Sequence, residues 1–205
     1  MPVTELALLR LKTQEPSASL KNSLHEAREA QTKWSKYPVR FYRQVEDSAY
    51  FYLSGGWNSV EAHCGEWIIS ETNQKALGQL KDDIDIEWMF HLDIDPSTFN
   101  SKIPYNAPVI AISRYFVEAN RKTEFDSIMK AGVPHLERYT TPFTYSGGWR
   151  IDKEGEDEEF VLFSGWNKVE DHFGFASSEA FEEFGKIKNA LKGADIKHVR
   201  IEKWE

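Results

Sequence analysis

Two histidines, His63 and His172, close the same pattern, Gly-Trp-Asn-x-Val-Glu-x-His, at 56–63 and 165–172. Imidazole is the side chain that exchanges protons near neutral pH, so a histidine beside a pocket can act as general base or hold a phenolic oxygen. Each histidine follows its valine, Val60 or Val169, by three residues and so falls on the flank of an apolar helix face. A structural histidine bonded to a backbone carbonyl would sit there equally well, and recurrence fits either use. The rest of the motif reads as architecture. The Gly-Trp step ends a strand, Trp57 and Trp166 anchor packing, and Asn58 and Asn167 with Glu61 and Glu170 spell N-x-x-E, a capping box.

The motif recurs 109 positions apart, counted from Trp57 to Trp166, so the chain reads as a duplication. Its 205 residues then divide into a first repeat at 1–95, a linker at 96–106 and a second repeat at 107–205. Apolar residues make up 40% and aromatics 14%, enough for a substantial core. A net charge of −8, without a basic cluster, argues against nucleic acid or an anionic membrane as partner. One cysteine, Cys64, excludes an internal disulfide framework and a Cys-rich metal site. The opening residues lack a signal-peptide pattern and no run approaches a membrane span. A cytoplasmic protein is expected, with neither metal nor cofactor.

The elements come in the same order twice. An apolar run at 4–11 predicts a strand, Ser17 caps a helix over 18–34, and 39–45 and 50–54 predict two strands. A helix follows Asn58, a second helical piece covers 72–81, and 84–94 alternates strictly as a strand. Beyond the linker, 109–117 is a strand, a helix opening at Thr123 is interrupted at Gly132-Val133-Pro134, and 143–151 is a strand. An acidic turn over 152–158 leads to the strand 160–164, a helical region to about Leu191 and a final strand from Ile196 to Trp204. Each half is β-α-β-β-α-β. The fold class is α+β, with two ferredoxin-like repeats whose bare sheet faces can cover each other in one molecule.

The Gly-Trp and Asn-x-Val-Glu-x-His residues at 56–63 and 165–172, set in that element order, resemble the dimeric α/β-barrel superfamily, and within it the antibiotic-biosynthesis-monooxygenase-like (ABM) domain. The resemblance covers nearly the whole chain as two copies. It implies an intramolecular dimeric α/β barrel, a monomeric pseudo-dimer or a homodimer of one, with a pocket between sheet and helices in each unit. It also implies chemistry drawn from a group that includes cofactor-free monooxygenases, cyclases, haem proteins and stress-induced proteins. Asn73 stands where the cyclases carry a histidine, and Leu77 where the haem-degrading branch does.

The expected site comprises His63 and His172 as catalytic groups. Trp57, Trp67, Trp166, Arg114, Tyr115 and Tyr145 are candidates to hold substrate, each of the tryptophans also serving as a core anchor. The register read along the two last strands makes Trp88, not His91, the counterpart of His198, so those two histidines are not expected to form a symmetric pair. Two functions are carried forward. One is a cofactor-independent oxygenase or cyclase acting on an aromatic or polyketide-like small molecule. The other is a non-catalytic hydrophobic-ligand-binding or stress-related barrel.

Overall fold

The computed structural model describes residues 1–98, 103–152, 154–202 and 204. Residues 99–102 of the linker, residue 153 of the acidic turn and residue 203 of the final strand lie outside the described residues. The chain forms two compact units, Met1–Ser97 with Arg200–Glu205, and Thr98–Val199. Among the described residues no helix is long and apolar enough to cross a membrane.

In the first unit β1 (Val3–Leu11), α1 (Ala18–Ser35), β2 (Arg40–Gln44) and β3 (Tyr50–Trp57) are followed by a π-helical turn (Ala62–Trp67), α2 (Glu71–Leu80) and β4 (Ile84–Leu92). The strands order as β4-β1-β3-β2, with β1 antiparallel to both neighbours. Ser17 starts α1 by accepting from the Leu20 amide at 3.1 Å, which satisfies one of the unpaired first-turn donors. Leu20 and Leu24 of α1 and Leu80 of α2 then pack on Leu9, Leu11, Phe41 and Phe51 of the sheet. Ser59, not Asn58, caps the helical turn after β3, with its hydroxyl accepting from the Ala62 amide at 3.0 Å. Asn58 instead accepts from the Tyr37 hydroxyl at 3.1 Å. The cap therefore falls one residue later than the N-x-x-E pattern suggests.

The strict alternation read over 84–94 is broken. Between Leu8 and Leu9 the β1–β4 register shifts, so Leu8 faces Trp88 while Leu9 faces Ile86, and Glu87 is the extra residue of a bulge. The bulge moves Met89 and His91 onto the face that Ile84 and Ile86 occupy. Ala7 is paired with Met89 and Glu5 with His91.

In the second unit β5 (Val109–Val117), α3 (Lys122–Thr140), β6 (Tyr145–Trp149), β7 (Glu158–Trp166), α4 (Val169–Ala176), α5 (Phe181–Phe184), a 3-10 turn (Gly185–Ala190) and β8 (Leu191–Glu202) give the order β8-β5-β7-β6. That is the order of the first unit, fourth-first-third-second. Lys168 takes the cap position of α4, displacing Asn167 from the role the motif suggested. Gly132-Val133-Pro134 does not interrupt α3, which runs through all three residues. A Cβ on Gly132 would lie 2.7 Å from the Phe184 Cα, so this glycine serves a close crossing with α5 rather than a break. Ala111 pairs with His198 across β5 and β8, just as Glu5 pairs with His91 across β1 and β4. His91 and His198 are thus counterparts, and Trp88 is not the residue equivalent to His198.

Candidate functional site

A buried carboxylate is costly without donors, and Glu5 stands alone as an acid within the apolar run of β1. Its Oε2 accepts from Gln31 Nε2 of α1 at 2.7 Å and from the Trp57 indole Nε1 of β3 at 2.8 Å. Gly55, paired with Glu5 across β1 and β3, makes the room. A Cβ there would come within 2.8 Å of Gln31 Nε2 and 3.1 Å of Glu5 Oε2. The other oxygen, Oε1, lies 3.8 Å from His63 Nε2.

His63 is fixed on three sides. Its ring stacks on Trp57, with centroids 4.2 Å apart and planes 7° from parallel. Its Nδ1 lies 2.7 Å from His91 Nε2, and the two rings meet edge to face. One of those two nitrogens must donate and the other accept. When His63 Nδ1 carries the shared proton, His63 Nε2 is left with its lone pair toward Glu5. Both histidines are buried, His91 completely.

Glu5 and His63 line one end of a cavity of about 200 Å³ inside the first unit. Gln31, Arg28 and Asn73 are the other polar groups on its wall. The remainder is apolar, including Leu9 and Ala7 of β1, Trp67, Leu77 of α2, and Ile84, Ile86 and Met89 of β4. Of the residues singled out in the sequence, the structure brings His63, Trp67 and, beneath the His63 ring, Trp57 to this place. Asn73 and Leu77 both line the cavity.

The second unit keeps the histidine pair and changes what surrounds it. His172 Nδ1 lies 2.9 Å from His198 Nε2, and the His172 ring stacks on Trp166 at 4.7 Å. Ala111 stands at the place of Glu5 and Ser164 at the place of Gly55, and the Trp166 indole donates to the Ser164 hydroxyl at 3.0 Å. A carboxylate and a glycine in one repeat have become an alanine and a serine in the other. Phe175 packs against Tyr139, Phe181 and Phe184 at 5.1–5.5 Å, filling this side of the unit with aromatic rings. Burial first, and the neighbouring His198 second, push the His172 pKa down to about 4.

The other residues named from sequence lie elsewhere. Tyr115 is in the second unit's core against Phe125, where burial raises its pKa to about 12. Arg114 pairs with Glu159 at 2.5 Å and covers the Phe116 ring. Tyr145 borders a cleft of about 410 Å³ between α3 and the strands β6 and β7. Glu5 and Gln31 are not among the residues expected from sequence, and His91 is set aside there by the Trp88 register. A lone acid in an apolar strand was the available signal for Glu5, because such a group requires partners.

No family model matches the chain, and no curated protein sequence matches it. Solved structures match it over almost its whole length. One is a candidate monooxygenase from Fusobacterium nucleatum, with 11% identity and a TM-score of 0.67 over 98% of this chain and 93% of that one. An anthrone oxidase-like protein matches with 11% identity and a TM-score of 0.63 over 98% and 92%. A mutant chlorite dismutase from Candidatus Nitrospira defluvii matches with 11% identity and a TM-score of 0.68 over 99% and 92%. The likeness shows a shared α+β, ferredoxin-like fold. At this identity the shared fold does not carry the chemistry with it.

Proposed function

We propose that the chain is an oxygenase-like enzyme, cofactor-independent, whose working site is the first-unit cavity and whose base is His63. The observation that carries this reading is the gap between Glu5 Oε1 and His63 Nε2. At 3.8 Å it is too wide for a direct hydrogen bond. A substrate hydroxyl about 2.8 Å from His63 Nε2 can donate its one proton there, within the range that proton transfer requires, with Glu5 Oε1 beside the ring. His63 Nε2 then takes the proton of a phenol or enol, and Glu5 offsets the positive charge that forms on the imidazole.

The deprotonated carbon skeleton is electron-rich. It can react with dioxygen, as in an oxygenase, or with a carbonyl of its own chain, as in a cyclase. The monooxygenase and anthrone oxidase-like names among the structural neighbours favour dioxygen. A cavity of about 200 Å³ suits a compact aromatic or polyketide-like molecule, since pockets for drug-sized ligands start near ~300 Å³. In this reading the ABM-like second repeat is scaffold, because its equivalent space holds aromatic side chains and Ala111 replaces the carboxylate. Closure of the two repeats into an intramolecular barrel, a monomeric pseudo-dimer, belongs to the same proposal.

The test is oxygen uptake with small phenols and anthrone-type substrates. His63→Ala should lower turnover by about 10²–10⁴-fold, the usual contribution of a general base, which exceeds what the ~1–3 kcal/mol stability cost of removing a buried partner of His91 accounts for. Glu5→Gln should also slow turnover, and His172→Ala should not. Binding without turnover in the wild type would favour the ligand-binding alternative. Equal loss of stability and activity in His63→Ala would make the histidine structural.

A further inference from the structure

We propose that His63, Cys64 and His91 form a binding site for a borderline-soft divalent cation of the zinc type, and that the ion switches off the base. The effect on activity rests on the role proposed for His63, while the site itself rests on geometry. One ring nitrogen from each of His63 and His91 and the Cys64 Sγ all lie within 4.8 Å of one another. Two imidazoles and a thiolate are ligands that zinc favours, and three protein ligands leave a fourth position for water.

The ring nitrogens already converge at 2.7 Å. Zinc–nitrogen bonds of about 2.0–2.1 Å in tetrahedral geometry place two such atoms roughly 3.3 Å apart, so the rings need to separate by only ~0.6 Å. Two further features point to a metal. The carboxylate of Glu5 stands beside His63 Nε2, the nitrogen turned away from the proposed ion, as outer carboxylates stand behind metal-bound imidazoles. His63 and Cys64 are carried on a π-helical turn, an uncommon form that concentrates at functional sites, whereas the equivalent His172 and Phe173 lie on the ordinary helix α4. Cys64 is exposed, which gives the ion a way in.

Binding would replace the shared proton. The thiol proton leaves to solvent as Cys64 ligates. His63 loses the proton from Nδ1, binds the metal through the freed lone pair, and carries its one ring proton on Nε2, which faces Glu5. With Nε2 protonated, His63 no longer accepts the substrate proton. The spacing of the sequence conceals such a site, because Cys64 and His63 come from a helical turn and His91 from a strand.

Cobalt(II) tests the proposal directly. Titration of the full chain with Co²⁺ should give one equivalent of a tetrahedral species with a thiolate-to-cobalt charge-transfer band, displaced by Zn²⁺. Cys64→Ala should abolish the charge-transfer band, and His91→Ala should weaken binding at least tenfold. His198→Ala should leave the spectrum intact. Circular dichroism of Cys64→Ala controls for folding. A wild-type spectrum without thiolate charge transfer, or one unchanged in Cys64→Ala, overturns the site. Zinc should suppress wild-type oxygen uptake and a chelator restore it; uptake that persists in the zinc-loaded protein overturns the switch. These spectra do not depend on turnover, so they stand apart from the outcome for His63→Ala.

Discussion

A carboxylate taken out of water survives when its oxygens find donors, and Glu5 has Gln31 and Trp57 on one oxygen. This explains why residues distant in sequence change together between the repeats. Without the carboxylate, Trp166 needs another acceptor, and Ser164 supplies it where Gly55 stands in the first unit. The motif histidines were legible because they repeat. Their partners were not, since Glu5, Gln31 and His91 occur in stretches that do not repeat residue for residue. His172 provides a pH test at this scale. Its pKa falls from 6.5 to about 4 on folding, so between those values the unfolded chain binds more protons than the folded one. Its contribution is therefore present above pH 6.5 and is lost as pH falls through about 4. The loss amounts to at most ~3 kcal/mol, and less because the ring keeps some contact with solvent. Urea midpoints for the wild type should fall from pH 7 to pH 4 by more than those of His172→Asn. Parallel pH profiles for the two proteins would rule this contribution out.

Two single-residue irregularities set the site at the level of elements. The bulge at Glu87 turns His91 toward Glu5, and the π-helical turn brings His63 over Trp57 and beside His91. Hydrophobic alternation located β4 within two residues of its observed end. It misassigned the face of every residue before or after the bulge, because a one-residue shift exchanges the two faces of a strand. Glycines show the same dependence on packing that sequence does not display. Gly132 and Gly78 both lie inside helices, yet a Cβ at 132 meets the Phe184 backbone while one at 78 meets nothing within 4 Å. Gly132→Ala should therefore destabilise by about 1–3 kcal/mol through overpacking. Gly78→Ala should stabilise by roughly 0.5–1 kcal/mol through helix propensity and lost unfolded-state freedom. Chemical denaturation of the two variants checks the contrast, and effects of the same sign would refute it.

At the scale of the whole chain, the repeat made the element order of both units readable, but not the path of its last residues. Trp204 closes the sequence of the second repeat and yet belongs to the first unit, where its ring lies 5.1 Å from Phe41 and 4.9 Å from Phe51. Periodicity cannot assign such a residue, because an indole satisfies any apolar environment of sufficient size. The consequence is that the first unit is built from both ends of the chain, and residues 1–97 alone lack part of their core. Trp204→Ala removes a side chain that is 4% exposed and leaves a void beside Leu9, Leu11 and Phe51. Deletions of this kind cost about 3–5 kcal/mol. The loss should appear in the first unit, which carries Glu5, His63 and the cavity. Hydrogen exchange on the full-length variant should show reduced protection in β1 and β3, with β5 and β7 retaining theirs. A uniform loss across all four strands would instead mean that the two units unfold as one cooperative body.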